Sequence, residues 1–188
     1  MRQANGNWQR RMQQVGWQLG FVMMVAARVA QAQQQPVERR LVISVPDRKL
    51  AVVENGSVVK VYAVAVGAEV SPSPSGSFKV INRVTAPTYY HAGKAIPAGN
   101  QNPLGSRWMG LDRKGYGIHG TNQPKSIGKA ASHGCIRMAH ADLEELFARV
   151  RVGDVVEIHA EHDATIANVF APQPTTVAAM SASDGGMN

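Results

Sequence analysis

Short apolar runs and alternating stretches dominate the middle of the chain. Residues 41–45 read as a buried strand, because four of the five side chains are apolar and three of these are β-branched. Residues 49–54 and 58–66 follow with the β-branched content typical of strands. Asn55-Gly56 separates them, and both positions tolerate the positive φ that a two-residue hairpin turn requires. The pattern therefore predicts a strand followed by a β-hairpin.

Three further strands are predicted later in the chain. A turn rich in Pro, Ser and Gly at residues 71–77 precedes a partly alternating stretch at 78–84. Residues 115–119 and 154–159 read as two more strands, the second closing the domain. With no internal repeat and no second folded domain in view, the pattern predicts a single, mostly β domain.

One amphipathic helix is predicted, at about residues 142–151. Its apolar side chains recur at i, i+3, i+4 and i+7, so that one face packs on the core. These side chains are Leu143, Leu146, Phe147 and Val150. Asp142 and Glu145 have the spacing of a capping box, with Asp142 as the N-cap, and Gly153 follows as the stop signal.

Residues 85–115 have little periodicity and many Gly and Pro residues. A loop of this length inside a compact domain is usually a functional element or disordered. Tyr89, Tyr90 and Trp108 lie in it and are candidate side chains of such a functional element. The alternative is that Trp108-Met109 forms a short core strand and that the tyrosines only pack against neighbours.

The charge distribution points to a leader at the N-terminus. The chain has 20 basic and 13 acidic side chains, a net charge of +7, and four of the basic ones lie in the first 32 residues, which contain no acid. The remainder therefore carries 16 basic and 13 acidic side chains, a net +3. A nucleic-acid-binding protein needs a clustered basic face, so this function class loses its main support.

Residues 1–32 have the organisation of a secretory signal peptide. Arg10 and Arg11 form a positive region, residues 19–27 a short apolar core, and Ala30-Gln31-Ala32 a cleavage site. Arg28 interrupts the apolar run, which leaves an uncleaved amphipathic anchor as the alternative. Either way we expect export, to the periplasm or cell wall.

Three further segments follow the predicted leader. Residues 33–39 read as a polar linker and 40–160 as the folded domain. Residues 161–188, rich in Ala, Thr, Ser and Gly, are expected to be a disordered tail.

The candidate chemistry lies in two short segments, 117–122 and 132–138. The second contains Cys135, the one cysteine of the chain, and an odd thiol in an exported protein is a candidate reactive group. A thiol attacks as the thiolate, and an imidazole nearby can remove its proton. Backbone N–H groups around Cys135 could hold an oxyanion. Alternatively Cys135 is an inert buried residue.

A metal site is the other alternative. Cys135 and five histidines are possible zinc ligands, but His133-x-Cys135 lacks the usual ligand spacing and the other ligands are unpaired. The five are His119, His133, His140, His159 and His162. We therefore expect neither metal nor cofactor.

The two segments together resemble the catalytic domain of the L,D-transpeptidases, the YkuD family. The family pattern is a His-Gly or His-Ser pair, a spacer of roughly a dozen residues, and Ser/Thr-His-Gly-Cys followed by a hydrophobic residue and Arg or Asn. Here it reads His119-Gly120, a spacer at 121–131, and Ser132-His133-Gly134-Cys135-Ile136-Arg137. The resemblance covers about residues 40–160 and includes Ser73 to Phe78, Asn102 to Gly105 and Gly153 to Val156. It implies a β-sandwich of mixed sheets with one packed helix and a long loop covering the substrate cleft. Tyr89, Tyr90 and Trp108 of this loop would be the candidate walls of that cleft.

The resemblance also implies roles for the site residues. Cys135 would be the nucleophile and His119 the base, oriented by the backbone carbonyl of Gly120. Gly134, His133 and Ser132 would form the oxyanion hole or line the site, with Ser132 making a structural hydrogen bond at the turn. Arg137 would hold a stem carboxylate through its planar guanidinium; the alternative for Arg137 is a structural salt bridge.

The function implied is acyl transfer in peptidoglycan biosynthesis, which remodels the wall and the cell shape it sets. The thiolate would attack the carbonyl of residue three of a tetrapeptide stem, usually diaminopimelate, and release D-alanine. The acyl group would pass to a stem amine in a 3–3 crosslink, to a lysine of an outer-membrane lipoprotein, or to water in an L,D-carboxypeptidase. Carbapenems would acylate the same thiol. The rivals are a hydrolase of the same fold and a non-catalytic peptidoglycan-binding domain.

Overall fold

The computed structural model describes residues 37–171. Within this range eleven β-strands, two α-helices and one short 3₁₀ turn follow one another. The strands are β1 (Arg39–Ser44), β2 (Lys49–Glu54), β3 (Ser57–Gly67), β4 (Gly76–Thr85), β5 (Tyr89–His91), β6 (Lys94–Ile96), β7 (Arg107–Leu111), β8 (Gly117–His119), β9 (Ala130–Ser132), β10 (Ile136–Met138) and β11 (Val155–His159). The helices are α1 (His140–Arg149) and α2 (Ala164–Phe170), and the 3₁₀ turn is Pro124–Ser126.

Nine strands pair in the order β10-β8-β7-β4-β11-β1-β2-β3-β9, and β10 also pairs with β3, so that the order closes on itself. The pairs β1/β11, β8/β10 and β3/β9 are parallel and the others are antiparallel. The long strands β3 and β4 change partners along their length, β3 from β2 to β10 and β4 from β11 to β7. They join the two layers of the sandwich, and the predicted mainly β fold of mixed sheets is confirmed.

The main core lies between the two layers. Leu41 and Ile43 of β1 face Met109 of β7 and Ile136 of β10 in one cluster, and none of these four side chains is more than 1% exposed. Burial of this apolar surface is the dominant favourable term in folding.

The outer face of β1 and β2 is covered as well, which explains why their apolar runs are continuous rather than alternating. Val42 and Val53 pack there against Ile166 and Val169 of α2. The sequence analysis expected disorder from residue 161, and for residues 164–170 this was wrong. Asp163 caps α2 through a hydrogen bond from the Ile166 amide to its carboxylate (2.9 Å), and the short apolar spacing is enough to dock the helix.

Helix α1 begins two residues before the predicted start. Its N-cap is Ala139, which makes no side-chain hydrogen bond, so the predicted capping box of Asp142 and Glu145 was wrong. Asp142 instead lies in the first turn, where a negative charge is favourable. Leu143 and Leu146 are fully buried, as the periodicity predicted. Packing of this apolar face, rather than a capping signal, sets where the helix begins.

The segment 85–115 is more ordered than the sequence indicated. It contains the hairpin β5–β6 and the core strand β7, on which Met109 is fully buried. The predicted signal peptide (1–32), residues 33–36 of the predicted linker and the tail beyond residue 171 lie outside the described residues. The last linker residue, Arg39, belongs to β1. In the described part of the chain, neither helix has the length and apolar content needed to cross a membrane.

Candidate active site

A cavity of about 740 Å³ brings the predicted side chains together. Strands β7, β8 and β10 form one side of it, and the segment leading into β5 forms another. All eight side chains proposed from the sequence line it, namely Tyr89, Tyr90, Trp108, His119, Ser132, His133, Cys135 and Arg137. The other lining residues are Val84, Ala86, Pro87, Thr88, Pro103, Leu104 and Gly115. No acidic side chain is among the lining residues from the described part of the chain.

Strand register places the central residues side by side. His119 of β8 lies opposite Arg137 of the parallel strand β10 and opposite Trp108 of the antiparallel strand β7. Cys135 immediately precedes β10, so it reaches the same end of the sheet. The rings of Trp108 and His119 stack with centroids 5.6 Å apart and an interplanar angle of 24°. One face of the imidazole is therefore fixed by an aromatic ring.

His119 is oriented by a backbone carbonyl. Its Nδ1–H donates to the carbonyl oxygen of Gly120 (2.7 Å), and because a carbonyl only accepts, the hydrogen must reside on Nδ1. Nε2 then keeps its lone pair. Burial, with a smaller contribution from the positive charge of Arg137, lowers the pKa of His119 to about 4, against the opposing effect of the Gly120 hydrogen bond. The imidazole is neutral at pH 7 and can accept a proton.

Gly120 is itself held by close backbone contact. Its N–H donates to the carbonyl of Leu104 (2.8 Å). A Cβ atom at this position would lie 2.9 Å from Cα of Gly105 and 3.0 Å from the Leu104 oxygen, closer than packing allows. The absence of a side chain at residue 120 therefore lets the segment 104–105 fix the carbonyl that orients His119.

Cys135 follows a tight turn. Gly134 has φ of +106°, and a Cβ there would lie 2.7 Å from the Tyr116 ring. Ser132 Oγ accepts from the Gly134 N–H (3.0 Å) and donates to the Cys135 carbonyl (2.5 Å), the structural hydrogen bond expected of this serine. The Gly134 N–H is thus already engaged within the turn.

The thiol itself is half-buried and protonated at neutral pH. It donates to the Gly115 carbonyl (3.5 Å). Burial raises the pKa of Cys135, while a backbone hydrogen bond from Gly117 and the charge of Arg137 act in the opposite direction. A base is needed to generate the nucleophile, and a neutral imidazole lines the same cavity.

Comparison with known proteins identifies the family of this chain. The family described as YkuD, L,D-transpeptidase catalytic domain, matches residues 38–158. The chain belongs to the L,D-transpeptidase catalytic domain family.

The relatives include two Bacillus subtilis proteins whose names place them among the L,D-transpeptidases. One, YqjB, is 38% identical over 147 residues, which is 70% of this chain and 82% of that protein. The other, YkuD, is 40% identical over 119 residues, 63% of this chain and 65% of that protein. Among solved structures, that of the L,D-transpeptidase LdtMt1 in complex with imipenem superposes with a TM-score of 0.56 at 21% identity, over 65% of this chain and 59% of that one. The chain thus spans less than two thirds of the latter two proteins.

Arg137 of the transpeptidase domain stands apart from the other buried or half-buried arginines. Arg39 pairs with Glu54 (2.9 Å) and Arg107 with Glu144 (2.8 Å), whereas none of the ion pairs among residues 37–171 includes Arg137. The structural salt bridge considered from the sequence is therefore not formed within these residues. Its charge faces a cavity whose lining residues from the described part of the chain include no carboxylate.

Sequence reasoning missed two residues that lie behind the cavity wall and contact its backbone, Asn102 and Gly105. Asn102 is 1% exposed, and its side chain makes four hydrogen bonds to backbone groups. Gly105 provides the close contact with Gly120. Both belong to the Asn102-to-Gly105 stretch already noticed as part of the resemblance, and an Asn-Pro pair is a turn signal. The partner segments, however, are not evident from the sequence.

Proposed function

We propose that the chain is a cysteine acyltransferase that remodels peptidoglycan. The observation that carries the proposal is the joint lining of one cavity by three side chains. They are Cys135, a neutral His119 whose Nε2 keeps its lone pair, and Arg137, which forms no ion pair within residues 37–171. The donor substrate is a tetrapeptide stem, attacked at the carbonyl of residue three. In the family this residue is usually diaminopimelate, whose carboxylates suit the charge of Arg137.

The reaction proceeds through a thioester. His119 Nε2 takes the Cys135 proton as sulfur bonds to the carbonyl carbon, and the carbonyl electron pair moves to oxygen. The tetrahedral adduct expels D-alanine, whose nitrogen receives the proton from His119. An acceptor amine then attacks the thioester and loses a proton to His119, and the sulfur leaves as a thiolate that takes this proton back from His119. Because the resting thiol and imidazole are both neutral, proton transfer accompanies attack.

The oxyanion is assigned to the amide of Cys135. Within the described residues no hydrogen bond uses this N–H, whereas the Gly134 N–H is bound to Ser132. The hydrogen bond from a pre-oriented amide to the substrate carbonyl oxygen becomes stronger as negative charge develops on that oxygen. Gly134 and Ser132 therefore shape the turn, and His133, which is exposed and lines the cavity, borders the site.

Arg137 and the aromatic residues bind the stem. The Arg137 guanidinium offers a planar fork to a stem carboxylate. Tyr89, Tyr90 and Trp108 form walls along the cavity, with Tyr90 76% exposed at its rim. The β5–β6 hairpin closes over the bound substrate.

The proposed enzyme is exported and is inhibited by carbapenems. The leader at residues 1–32 directs the domain to the periplasm or cell wall, where its substrate lies. A carbapenem acylates Cys135, a proposal supported by the likeness to a transpeptidase solved with imipenem. Transfer to a lipoprotein lysine, as well as to a stem amine, fits the same thioester chemistry.

The decisive test incubates the purified domain with disaccharide-tetrapeptide and identifies the products by mass. Free D-alanine with a crosslinked dimer establishes a transpeptidase, and free D-alanine with tripeptide a carboxypeptidase. Adding a lysine-ended peptide tests the lipoprotein acceptor. If the substrate is bound but unchanged, the domain is a non-catalytic binding module, and if crosslinked dimers are cut it is a hydrolase.

A further inference from the structure

Asn102 lies at the junction between the cavity wall and the segment that orients His119. Its Nδ2 is within hydrogen-bond distance of three carbonyl oxygens, those of Pro87 (2.7 Å), Ile96 (3.1 Å) and Pro97 (3.2 Å). Its Oδ1 accepts from the Leu104 amide (2.8 Å). A buried amide side chain whose nitrogen and oxygen are both engaged is costly to disturb, because each group left behind loses its partner.

The first three contacts hold the cavity wall. Pro87 immediately precedes Thr88 and Tyr89, which line the cavity, and Ile96 and Pro97 lie at the other end of the β5–β6 hairpin. Asn102 therefore clamps both ends of the hairpin. The chain enters this wall through Ala86, whose φ of +51° is unfavourable for a residue with a Cβ. Such a conformation persists when its surroundings hold it in place.

The fourth contact leads to the base. The Leu104 amide is bound by Asn102, and the Leu104 carbonyl accepts from Gly120, whose own carbonyl accepts from His119 Nδ1. Each step is a hydrogen bond of 2.7–2.8 Å. Gly105 adds a backbone contact with Gly120 that leaves no room for a Cβ. The same side chain thus reaches the substrate-facing wall in one direction and His119 in the other.

We propose that Asn102 is a positioning residue for acyl transfer, which fixes the wall at Pro87–Tyr89 and the orientation of His119 as one unit. It touches neither the thiol nor the substrate and acts through Leu104 and Gly120. The inference rests on the proposed function, since it assigns Asn102 a role in the reaction of Cys135 and His119.

The test compares Asn102→Asp with Asn122→Asp in the full chain. Asp has the size of Asn but directs a carboxylate at three carbonyl oxygens, so the wall contacts are lost. Asn122 is a matched control, because it is exposed and donates a single hydrogen bond to the Gln101 carbonyl. We expect Asn102→Asp to lower kcat/KM for disaccharide-tetrapeptide by about 10²-fold, the scale of a misplacement near 1 Å. Asn122→Asp should remain at the wild-type value.

A second readout separates positioning from folding. The rate of Cys135 alkylation by iodoacetamide, measured against pH, reports on the thiol and its base without using the substrate wall. We expect this pH profile to change in Asn102→Asp and to match wild type in Asn122→Asp. The inference is overturned if both profiles are those of wild type, or if activity falls only in proportion to the unfolded fraction. If wild type releases no D-alanine, the proposed acyl transfer fails, while the alkylation profile still tests the link to His119.

A measurement on the wild-type protein covers the case in which Asn102→Asp does not fold. The amides of Leu104 and Gly120 should be protected from hydrogen exchange to a similar degree, because each is held in the same chain of hydrogen bonds. Exchange of the Leu104 amide at the rate of an exposed loop, with Gly120 protected, would break the chain at Asn102 and overturn the inference.

Discussion

The two ends of the domain differ in how their charged and histidine side chains are paired. At the catalytic end His119 is oriented by a neutral carbonyl, and Arg137 has no carboxylate partner among the described residues. At the α2 end His159 bonds to Asp163 (2.5 Å), His162 to Asp47 (2.9 Å), and Arg40 to Glu157 (2.7 Å). The charges at the α2 end are paired within the protein, whereas Arg137 at the candidate site forms no ion pair within residues 37–171.

The contrast has a chemical reason. A carboxylate beside an imidazole favours the charged form, which cannot accept a proton, whereas a carbonyl fixes the tautomer with little change in charge. At the α2 end a backbone hydrogen bond from Ile166, followed by the bond to His159, lowers the pKa of Asp163. At the catalytic end burial lowers the pKa of His119 to about 4. The first arrangement stabilises charge, and the second keeps the base neutral.

The largest effect is expected from Cys135→Ala, which removes the attacking atom. Turnover should be abolished and the fold kept, because the cysteine side chain is small and only half-buried. Product formation is measured by mass, with circular dichroism as the control for folding. A carbapenem should add its mass to wild type and not to the variant. Residual turnover above a few percent of the wild-type rate would contradict the role of Cys135 as the nucleophile.

His119→Ala should lower the rate of thioester formation by roughly 10²-fold or more, the scale of a lost general base. His133→Ala is the matched control, since His133 lines the same cavity but is exposed. It should be the milder change in single-turnover acylation. If His133→Ala is the more damaging of the two, then His133 rather than His119 is the base.

The neutral state of His119 predicts a pH window in stability. Its pKa is about 4 in the folded protein against 6.5 for an ordinary histidine, so between these values the unfolded chain binds more protons. Stability is therefore lost as pH falls from about 6.5 to about 4, by up to ~3 kcal/mol at about 1.4 kcal/mol per pKa unit. Urea unfolding of wild type and His119→Gln across this range measures it. Equal slopes in the two proteins would contradict the burial of a neutral imidazole.

Arg137→Lys tests whether the charge of Arg137, which forms no ion pair within residues 37–171, binds the substrate. Lys offers no planar fork, so kcat/KM should fall by roughly 10- to 150-fold, the equivalent of about 1.5–3 kcal/mol for a charge-assisted hydrogen bond. A stem amidated at the recognised carboxylate should barely respond to the mutation, giving a strongly non-additive double cycle. Arg149→Lys, on the exposed face of α1, is the control. Equal losses for acid and amide stems would remove Arg137 from the substrate site.

The sequence predicted the parts of the molecule that depend on local pattern. β-branched runs identified β1 to β3, and the spacing of Leu143 and Leu146 identified α1. The order of the residues around His119 and Cys135 led to the candidate site because it resembles the L,D-transpeptidase pattern. What could not be predicted depends on contacts distant in sequence. Asn102 bonds to residues up to 15 positions away, and Gly105 meets Gly120 across the cavity wall. Helix α2 escaped prediction because few apolar residues stand in a tail rich in Ala and Thr.

The smallest effect is expected at the α2 end, where Asp163 serves both as N-cap and as the partner of His159. Asp163→Ala removes both roles and should lower Tm by about 2–4 °C, whereas Asp163→Asn keeps an oxygen for the Ile166 amide and should lower it less. The pKa of Asp163 is lowered in the folded state, so the stability that its carboxylate contributes is present above the ordinary pKa and is lost as pH falls through the lower folded value. Both variants should therefore lose less stability than wild type on acidification below about pH 4. Acylation of Cys135 should be unchanged in both, since α2 packs on the face of β1 and β2 turned away from the main core. A change in acylation rate with either variant would show that the α2 end and the catalytic end are not independent.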